Sequence, residues 1–413
     1  MKVFPSIKKM SRVALAIAGA GVLLAAMPAR AQISDDVVRI GVMADQTGTY
    51  SGNGGPGSSL AVRMAVEDFG GKVLGKPIEV VTADDQNKPN IGINMARQWI
   101  ESEKFDTIVG GSSSSIAFGV STMMKEKKKP YLIAGTVSSD LTGKQCSPMN
   151  VQFIVDTYQL ANAGVTALLK QGVKSFFFIT VDYAFGAALQ SDATRFIEAG
   201  GGKVVGSVRH PLGASDYSSY LLQAQASKAE AIVVLNAGLD LTNALKQAAE
   251  YKLARGGQKV GVFGMTINSV SAMGLDVAQG LQITAPFYWD RDAESRAWAK
   301  RFMDKNNGVI PTYIQAGAYS AAMHYLKAVR DAGTDEGVAV MAKMKATPVN
   351  DFSMKNAKIR EDGQLIRPTY PMEVKKPSES KGKYDLYKVG PEIPGDQVFR
   401  PMADGGCDFV AKK

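Results

Sequence analysis

The stretch VVRIGVMADQTGTYSGNGGPGSSLAVRMAVEDF (Val37–Phe69) carries the reading of the fold. Val37–Met43 is a short apolar run with the length and branching of a buried strand. Ser58–Phe69 places Leu60, Val62, Met64, Ala65 and Phe69 at helical spacing, on an inward face. Between them lies a glycine-rich connection. A strand, a loop and an amphipathic helix make one β–α unit, and units of that kind build parallel sheets covered by helices.

Outward from that stretch the unit repeats. Strands are expected at Ile78–Thr82, Thr107–Val109 and Pro130–Ala134, with helices near Ile91–Glu103 and Ile116–Glu126. A second series begins near Gln152. Its expected strands are Ser175–Thr180, Lys203–Val208, Ala231–Asn236 and Val260–Phe263, and its helices Tyr158–Lys170, Phe185–Ala199, Tyr217–Ala226 and Leu241–Tyr251. After Leu281–Ala285 come two long helical patterns, Asp292–Asn306 and Tyr313–Ala332, that continue neither series. The expected fold is therefore α/β with two lobes, each a mostly parallel sheet flanked by helices. The first lobe takes residues 32–153 plus about 286–350, the second 154–285 plus about 351–413 with the tail. A chain that crosses several times between lobes makes a hinge, and the cleft becomes the default ligand site. The tail from Pro368, rich in Pro and Lys, is expected to hold strands and loops rather than helices.

Composition narrows the functional class. Hydrophobic residues make up 45% and charged residues 21% of the 413 positions, which excludes disorder and collagen-like repeats. The net charge of +9 would suggest a polyanion partner, but Lys2, Lys8, Lys9, Arg12 and Arg30 all precede residue 32. What remains is 43 basic against 39 acidic residues, too even to argue for nucleic acid. The early lysines and Arg12 form a positive n-region before the apolar run Val13–Met27, and Ala29-Arg30-Ala31 supplies small residues for cleavage before Gln32. Residues 1–31 thus read as a signal peptide, the mature protein as periplasmic, with no cysteine near the cut to carry a lipid.

Cys146 and Cys407 are the only cysteines, an even count suited to an oxidising compartment. A disulfide between them would close a loop of about 260 residues and pin the tail, worth roughly 4–5 kcal/mol by chain entropy; two free thiols are the alternative. With only His210 and His324 beside them, no metal centre is expected. Both histidines read as structural. No cofactor is expected either. Gly52-Asn53-Gly54-Gly55-Pro56-Gly57 fits G-x-G-x-x-G, but eight residues separate Met43 from Gly52, whereas a dinucleotide turn follows its strand at once.

The candidate site residues lie at strand ends, where α/β sheets place ligands. Gly110-Gly111-Ser112-Ser113-Ser114-Ser115 joins a strand to a helix, where free backbone N–H groups and the helix dipole make a carboxylate or phosphate seat. A flexible loop with an N-cap is the alternative. Gly135-Thr136-Val137-Ser138-Ser139 repeats the hydroxyl-rich pattern after the next strand. In the second series, Asp182-Tyr183-Ala184-Phe185-Gly186 offers aromatics to cover a ligand. Asn236-Ala237-Gly238-Leu239-Asp240 and Gly264-Met265-Thr266 end the following strands, with Asp240 also suited to capping a helix.

These features together resemble the periplasmic solute-binding proteins of ABC transporters, in the branched-chain amino acid (leucine/isoleucine/valine-binding) family. The resemblance runs from about Val37 to the C-terminus through IGVMADQTGTYSGNGGPG (Ile40–Gly57), AVRMAVEDFGG (Ala61–Gly71), VGGSSSS (Val109–Ser115), DYAFG (Asp182–Gly186), NAGLDLTNALKQA (Asn236–Ala248) and PTYIQAGAYSAAMHYLKAV (Pro311–Val329). It implies the type I fold of that family, with three hinge crossovers. It also implies a carboxylate seat at Ser114, the Thr136 backbone and the Ser138 hydroxyl, with Tyr183 or Phe185 over the ligand. Ser113, Ser115, Asn53 and Gly238, in these and the other strand-end loops, are expected to bind the ligand as well, as are Asp240 and Thr266. The family's acidic acceptor for an α-ammonium group maps to Thr266, which has no charge. Either Asp240 takes that role or the ligand is not a zwitterionic amino acid; amides, urea and aromatic carboxylates are ligands of related subfamilies. The Cys146–Cys407 pair differs from the disulfide expected near the first-lobe site of the amino-acid binders.

The expected function is a non-enzymatic, monomeric receptor that binds a small solute between its lobes and delivers it to ABC permease subunits. A ligand sensor for a kinase or chemoreceptor shares every feature above. A periplasmic enzyme is the third reading, and it lacks a nucleophile constellation.

Overall fold

The structure, a computed structural model, describes residues 33–253 and 257–410. The expected signal peptide and its cleavage point lie outside them.

Strand β1 (Val38–Ala44) occupies the middle of the first sheet, and every residue but Arg39 is buried. Its period of two decides what lies on each face. Val38, Ile40 and Val42 pack toward helix α1 (Gly55–Phe69), whereas Met43 points into a second cluster with Trp99, Ile108 and Ile116. The remaining strands of this sheet are β2 (Lys72–Val73), β3 (Lys76–Asp84), β4 (Thr107–Gly110), β5 (Tyr131–Ile133) and β6 (Asn150–Gln152). Their order is β2-β3-β1-β4-β5-β6, parallel except for β2. Helices α2 (Pro89–Glu101) and α3 (Ser114–Glu126) complete the βα repeats. Asn150–Gln152 thus ends the first sheet rather than opening the second series.

The second sheet is wholly parallel. It runs β10-β9-β7-β8, with β7 (Ser175–Val181), β8 (Lys203–His210), β9 (Ala231–Leu235) and β10 (Lys259–Val262). The apolar run of β7 is buried on both faces, as a central parallel strand demands, whereas β8 alternates exposed and half-buried residues at the edge. Helices α4 (Thr157–Lys170), α5 (Ala184–Ala199), α6 (Ser218–Ala226) and α7 (Gly238–Glu250) join these strands, followed by α8 (Ile267–Met273) and α9 (Leu275–Ala278).

Three crossings connect the sheets. The first runs from Gln152 to Thr157, and the second follows β11 (Gln282–Ala285) into α10 (Ala293–Lys305) and α11 (Tyr313–Ala332), which packs along α1. The third leads from α12 (Gly337–Ala346) through the hairpin β12 (Lys358–Ile359) and β13 (Leu365–Ile366) to β14 (Tyr370–Val374), which pairs with β11 and β15 (Tyr387–Val389). Side-chain and backbone hydrogen bonds tie the crossings to one another. Arg367 donates to the carbonyls of Pro286 (2.8 Å) and Ser353 (3.3 Å), and burial lowers its pKa to about 10, which still leaves a cation. The Gln152 N–H donates to the Gly363 carbonyl at 2.9 Å.

Some expectations need correction. Helix α1 begins at Gly55, with Pro56 in its first turn, where a missing N–H costs nothing. Leu60 and Phe69 are half-buried at its edge, while Ala61 lies fully inside. The tail carries a short helical turn, α13 (Gly395–Val398), besides its strands. Cys146 and Cys407 form a disulfide with Cα atoms 5.6 Å apart, which fastens the tail beside the 3-10 turn Ser139–Thr142. Arg400 reinforces that junction by donating to the Ser139 carbonyl at 2.9 Å. Both histidines are buried and engaged: His210 Nε2 meets Asn236 Nδ2 at 3.0 Å, and His324 Nε2 meets the Met344 carbonyl at 3.0 Å.

Candidate functional site

The carboxyl ends of both parallel sheets face one crevice, and the loops that leave them line a cavity of about 50 Å³. On the general scale of one water per roughly 10–15 Å³, that is room for about four water positions, so it suits a small solute rather than a peptide.

From the first sheet, the chain leaving β4 bends sharply at Gly110, whose φ is +109°. A Cβ there would sit 2.2 Å from the Met43 carbonyl oxygen, so only glycine lets this loop cross the end of β1. The Gly111 N–H donates to that same carbonyl at 2.8 Å. The turn delivers the start of α3. Ser113 is its N-cap, with Oγ accepting from Ile116 N at 3.5 Å. Ser114 follows in the first turn with its Oγ buried, lining the cavity and meeting no hydrogen-bond partner. Ser112 donates through both N–H and Oγ to Asp85, a carboxyl whose pKa burial raises. Thr136 lines the wall after β5, with Oγ1 donating to the Gly111 carbonyl at 2.6 Å.

Across the cavity, Tyr183 precedes α5 and Phe185 lies in its first turn, with ring centroids 5.9 Å apart. Tyr183 Oη meets Tyr50 Oη of the first-sheet loop at 2.8 Å, closing the crevice. Burial raises the pKa of both phenols, so each keeps its proton and one donates to the other. Tyr313 and Ile314, at the start of α11, complete an apolar wall with Met43 and Leu160.

The electrostatics follow from the elements. The starts of α1, α3, α5 and α11 meet at the cavity, and Ala237 precedes α7 there. Each helix N-terminus carries about half a positive charge in its free N–H groups. No Lys, Arg or His lines the cavity among the described residues, and Asp45 is the one charged residue that does. Its carboxylate is already committed, to the N–H groups of Gly48 (2.6 Å) and Tyr50 (2.8 Å) and to Asn87 Nδ2. The arrangement can hold an anionic head among hydroxyls and main-chain amides, and an apolar or planar body among aromatic rings.

The sequence profile of the family described as "Periplasmic binding protein" matches residues 37–383. The chain belongs to that family. This periplasmic binding protein is 46% identical to a periplasmic binding protein of Burkholderia mallei, with a TM-score of 0.89 over 91% of this chain and 100% of that one. It is 37% identical to a branched chain amino acid ABC transporter periplasmic ligand-binding protein of Burkholderia xenovorans, with a TM-score of 0.79 over 90% and 99% of the two chains. The "Leu/Ile/Val-binding protein homolog 6" of Brucella abortus is 26% identical over 198 residues, 48% of this chain and 50% of that one. The chain thus spans about half the length of the curated relatives it matches.

Against this geometry the expected residues of the binding protein divide. Asn53, Ser114, Thr136, Tyr183 and Phe185 stand together in the cavity wall. Ser113 caps a helix, Ser115 is half-buried off the wall, and Ser138 is fully buried as the cap of the Ser139–Thr142 turn. Asp240 does not cap α7, whose N-cap is Ala237. Its Oδ2 accepts from the Gly213 N–H at 2.9 Å instead, and burial raises its pKa to about 6. Gly238 and Thr266 touch the opposite loop rather than the cavity: a Cβ on Gly238 would meet the Thr49 carbonyl oxygen at 2.4 Å, and Thr266 Oγ1 donates to Asn53 Oδ1 at 3.2 Å. Residue-by-residue reasoning missed Tyr50, Tyr313 and Ile314. The first sits in an otherwise small-residue loop and the others follow Pro311, which marks a helix start without telling which way it points.

Proposed function

We propose that this binding protein is a non-enzymatic receptor that closes on a small carboxylate-bearing solute lacking a cationic group and hands it to an ABC permease. The observation that carries the reading is Ser114 Oγ, buried and without a protein partner in a cavity whose one carboxylate already accepts three hydrogen bonds. A buried hydroxyl left unpaired costs about 1–3 kcal/mol, and a ligand carboxylate would recover it. An α-ammonium group, by contrast, would have to compete for the one wall carboxylate, Asp45, with the three donors that already hold it, and would cost several kcal/mol to bury without such a partner. The lobes move about the three crossings, with residues 33–153 and about 286–350 on one side and 154–285 and about 351 onward on the other. Export of the chain, its delivery of solute and its action as a monomer belong to the same proposal.

The 37% identical relative named for branched-chain amino acids favours a second reading, in which a zwitterion is bound and Asp240 or main-chain carbonyls receive its ammonium. Paired ligands separate the two. Thermal shift is measured with leucine against 4-methylpentanoate, and with phenylalanine against 3-phenylpropanoate. Saturable stabilisation by the acids that exceeds that by the amino acids supports the first reading. The reverse order establishes the second, and no shift with any member would sink the carboxylate seat itself.

A further inference from the structure

The glycine-rich run after β1 forms a rigid tooth. On its own side it is fully braced: Asp45 accepts from Gly48 N and Tyr50 N, Thr312 Oγ1 donates to the Asn53 carbonyl at 2.6 Å, and Gln315 Nε2 donates to the Gly54 carbonyl at 3.0 Å. The turn therefore has its shape before anything from the second sheet arrives. What it offers outward is a row of acceptors. Thr49 O accepts from Leu239 N at 3.0 Å, Gly52 O from Asn268 Nδ2 at 2.9 Å, and Asn53 Oδ1 from Thr266 Oγ1 at 3.2 Å.

Leu239, Asn268 and Thr266 belong to the starts of α7 and α8, and none of the three lines the cavity. Gly238, also off the cavity, has φ +59°, and a Cβ there would lie 2.4 Å from Thr49 O and 2.7 Å from Tyr50 Cδ1. Both obstructing atoms come from the other side of the crevice, so the obstruction exists only when the crevice is shut.

We propose that Gly48–Asn53 docking onto the starts of α7 and α8 is a closure latch, with Gly238 and Asn268 as positioning residues that set the closed population without touching the solute. This rests on the clamp reading of the function above. A receptor that grips only when shut has an apparent affinity scaled by its closed fraction, so residues remote from the ligand tune it. Asn268 contributes one donor, and Gly238 contributes the space in which Thr49 seats.

The test measures interlobe distances by electron–electron resonance, with spin labels at Lys125 and Lys203 of the full chain, alone and with 4-methylpentanoate or leucine. Wild type is compared with Gly238→Ala and with Asn268→Ala, the second at a half-buried surface position where folding is not at issue. Asn268→Ala is expected to weaken the probe that binds by about 2–10-fold, the equivalent of one neutral hydrogen bond, through faster dissociation. Gly238→Ala is expected to abolish the short-distance population and weaken binding by more than tenfold while unfolding cooperatively. Unchanged dissociation and distances in both variants would overturn the latch. If wild type binds neither probe, the solute reading fails separately, and the latch is judged on the ligand-free distances: loss of the short population in the variants supports it, its absence from wild type overturns it.

Discussion

Tyr50 Oη and Tyr183 Oη stand 2.8 Å apart, a hydrogen bond between residues 133 positions apart whose rings come from different sheets. The bond spans the crevice, and both residues belong to the cavity wall.

Replacing either tyrosine with Phe removes that bond and leaves the other hydroxyl buried without its partner. Tyr183→Phe is expected to weaken solute binding by about 0.5–1.5 kcal/mol, roughly 2–12-fold. Tyr50→Phe should cost a similar amount, and the double variant less than the sum, because one shared interaction is lost once. Calorimetric titration of the four proteins gives the cycle directly; strict additivity would mean the two hydroxyls act independently.

Ser114→Ala separates a ligand contact from a folding contact. Since Ser114 Oγ meets no protein partner, the variant is expected to keep or slightly raise the unfolding temperature of the free protein. Affinity for the bound carboxylate should fall by about 1–2 kcal/mol, near tenfold. A drop in stability with unchanged affinity would place that hydroxyl in the fold rather than in the site.

Asp156, the N-cap of α4, accepts from Gln159 N at 2.8 Å, yet burial raises its pKa to about 6. The carboxyl is thus held above the ordinary value of 3.8. A group shifted upward favours the folded state most when protonated, so its contribution is complete below about pH 4 and is lost as pH rises through 6. Asp156→Asn keeps the capping oxygen and removes the ionisation. In denaturant titrations it should match wild type at about pH 3 and be more stable by about 3 kcal/mol above pH 7. Asp192 is shifted in the same direction by burial and would add to the wild-type slope.

Breaking the Cys146–Cys407 disulfide, by reduction or by replacing both cysteines with serine, should lower stability by about 2–5 kcal/mol. The first segment to loosen should be the tail around Arg400, seen as faster amide exchange after residue 398. Equal stability with and without reductant would show that the tail is held by its other contacts alone, such as the Arg400 bond to the Ser139 carbonyl.

Much of the architecture is legible one residue at a time. The α11 pattern reads as Tyr313–Ala332 in both sequence and structure, because its caps are local: Thr312 and Gln315 form a capping box, and Gly333 ends the helix in the left-handed region. Helix α12 is hard to read from the sequence because GVAVMAKMKA has little periodic contrast, with Val338 left exposed among apolar neighbours. Helix α8 is too short to show a period at all. In the site, hydroxyl-rich loops at strand ends were visible as a class. Which hydroxyl faces the cavity was not, since Ser113 and Ser114 are adjacent and differ only by the turn of a helix.

The chain by itself determined the alternation of strand and helix, the two parallel sheets and the rank of loops at their carboxyl ends, because hydrophobic periodicity and turn chemistry act over a few residues. Only the tertiary structure decided which loop residues line the cavity and which meet one another across the crevice. Thr266 meets Asn53 across 213 positions of sequence, and Gly238 makes room for Thr49 in the opposite lobe. Contacts of that kind depend on the angle between two separately built sheets, which no local pattern encodes.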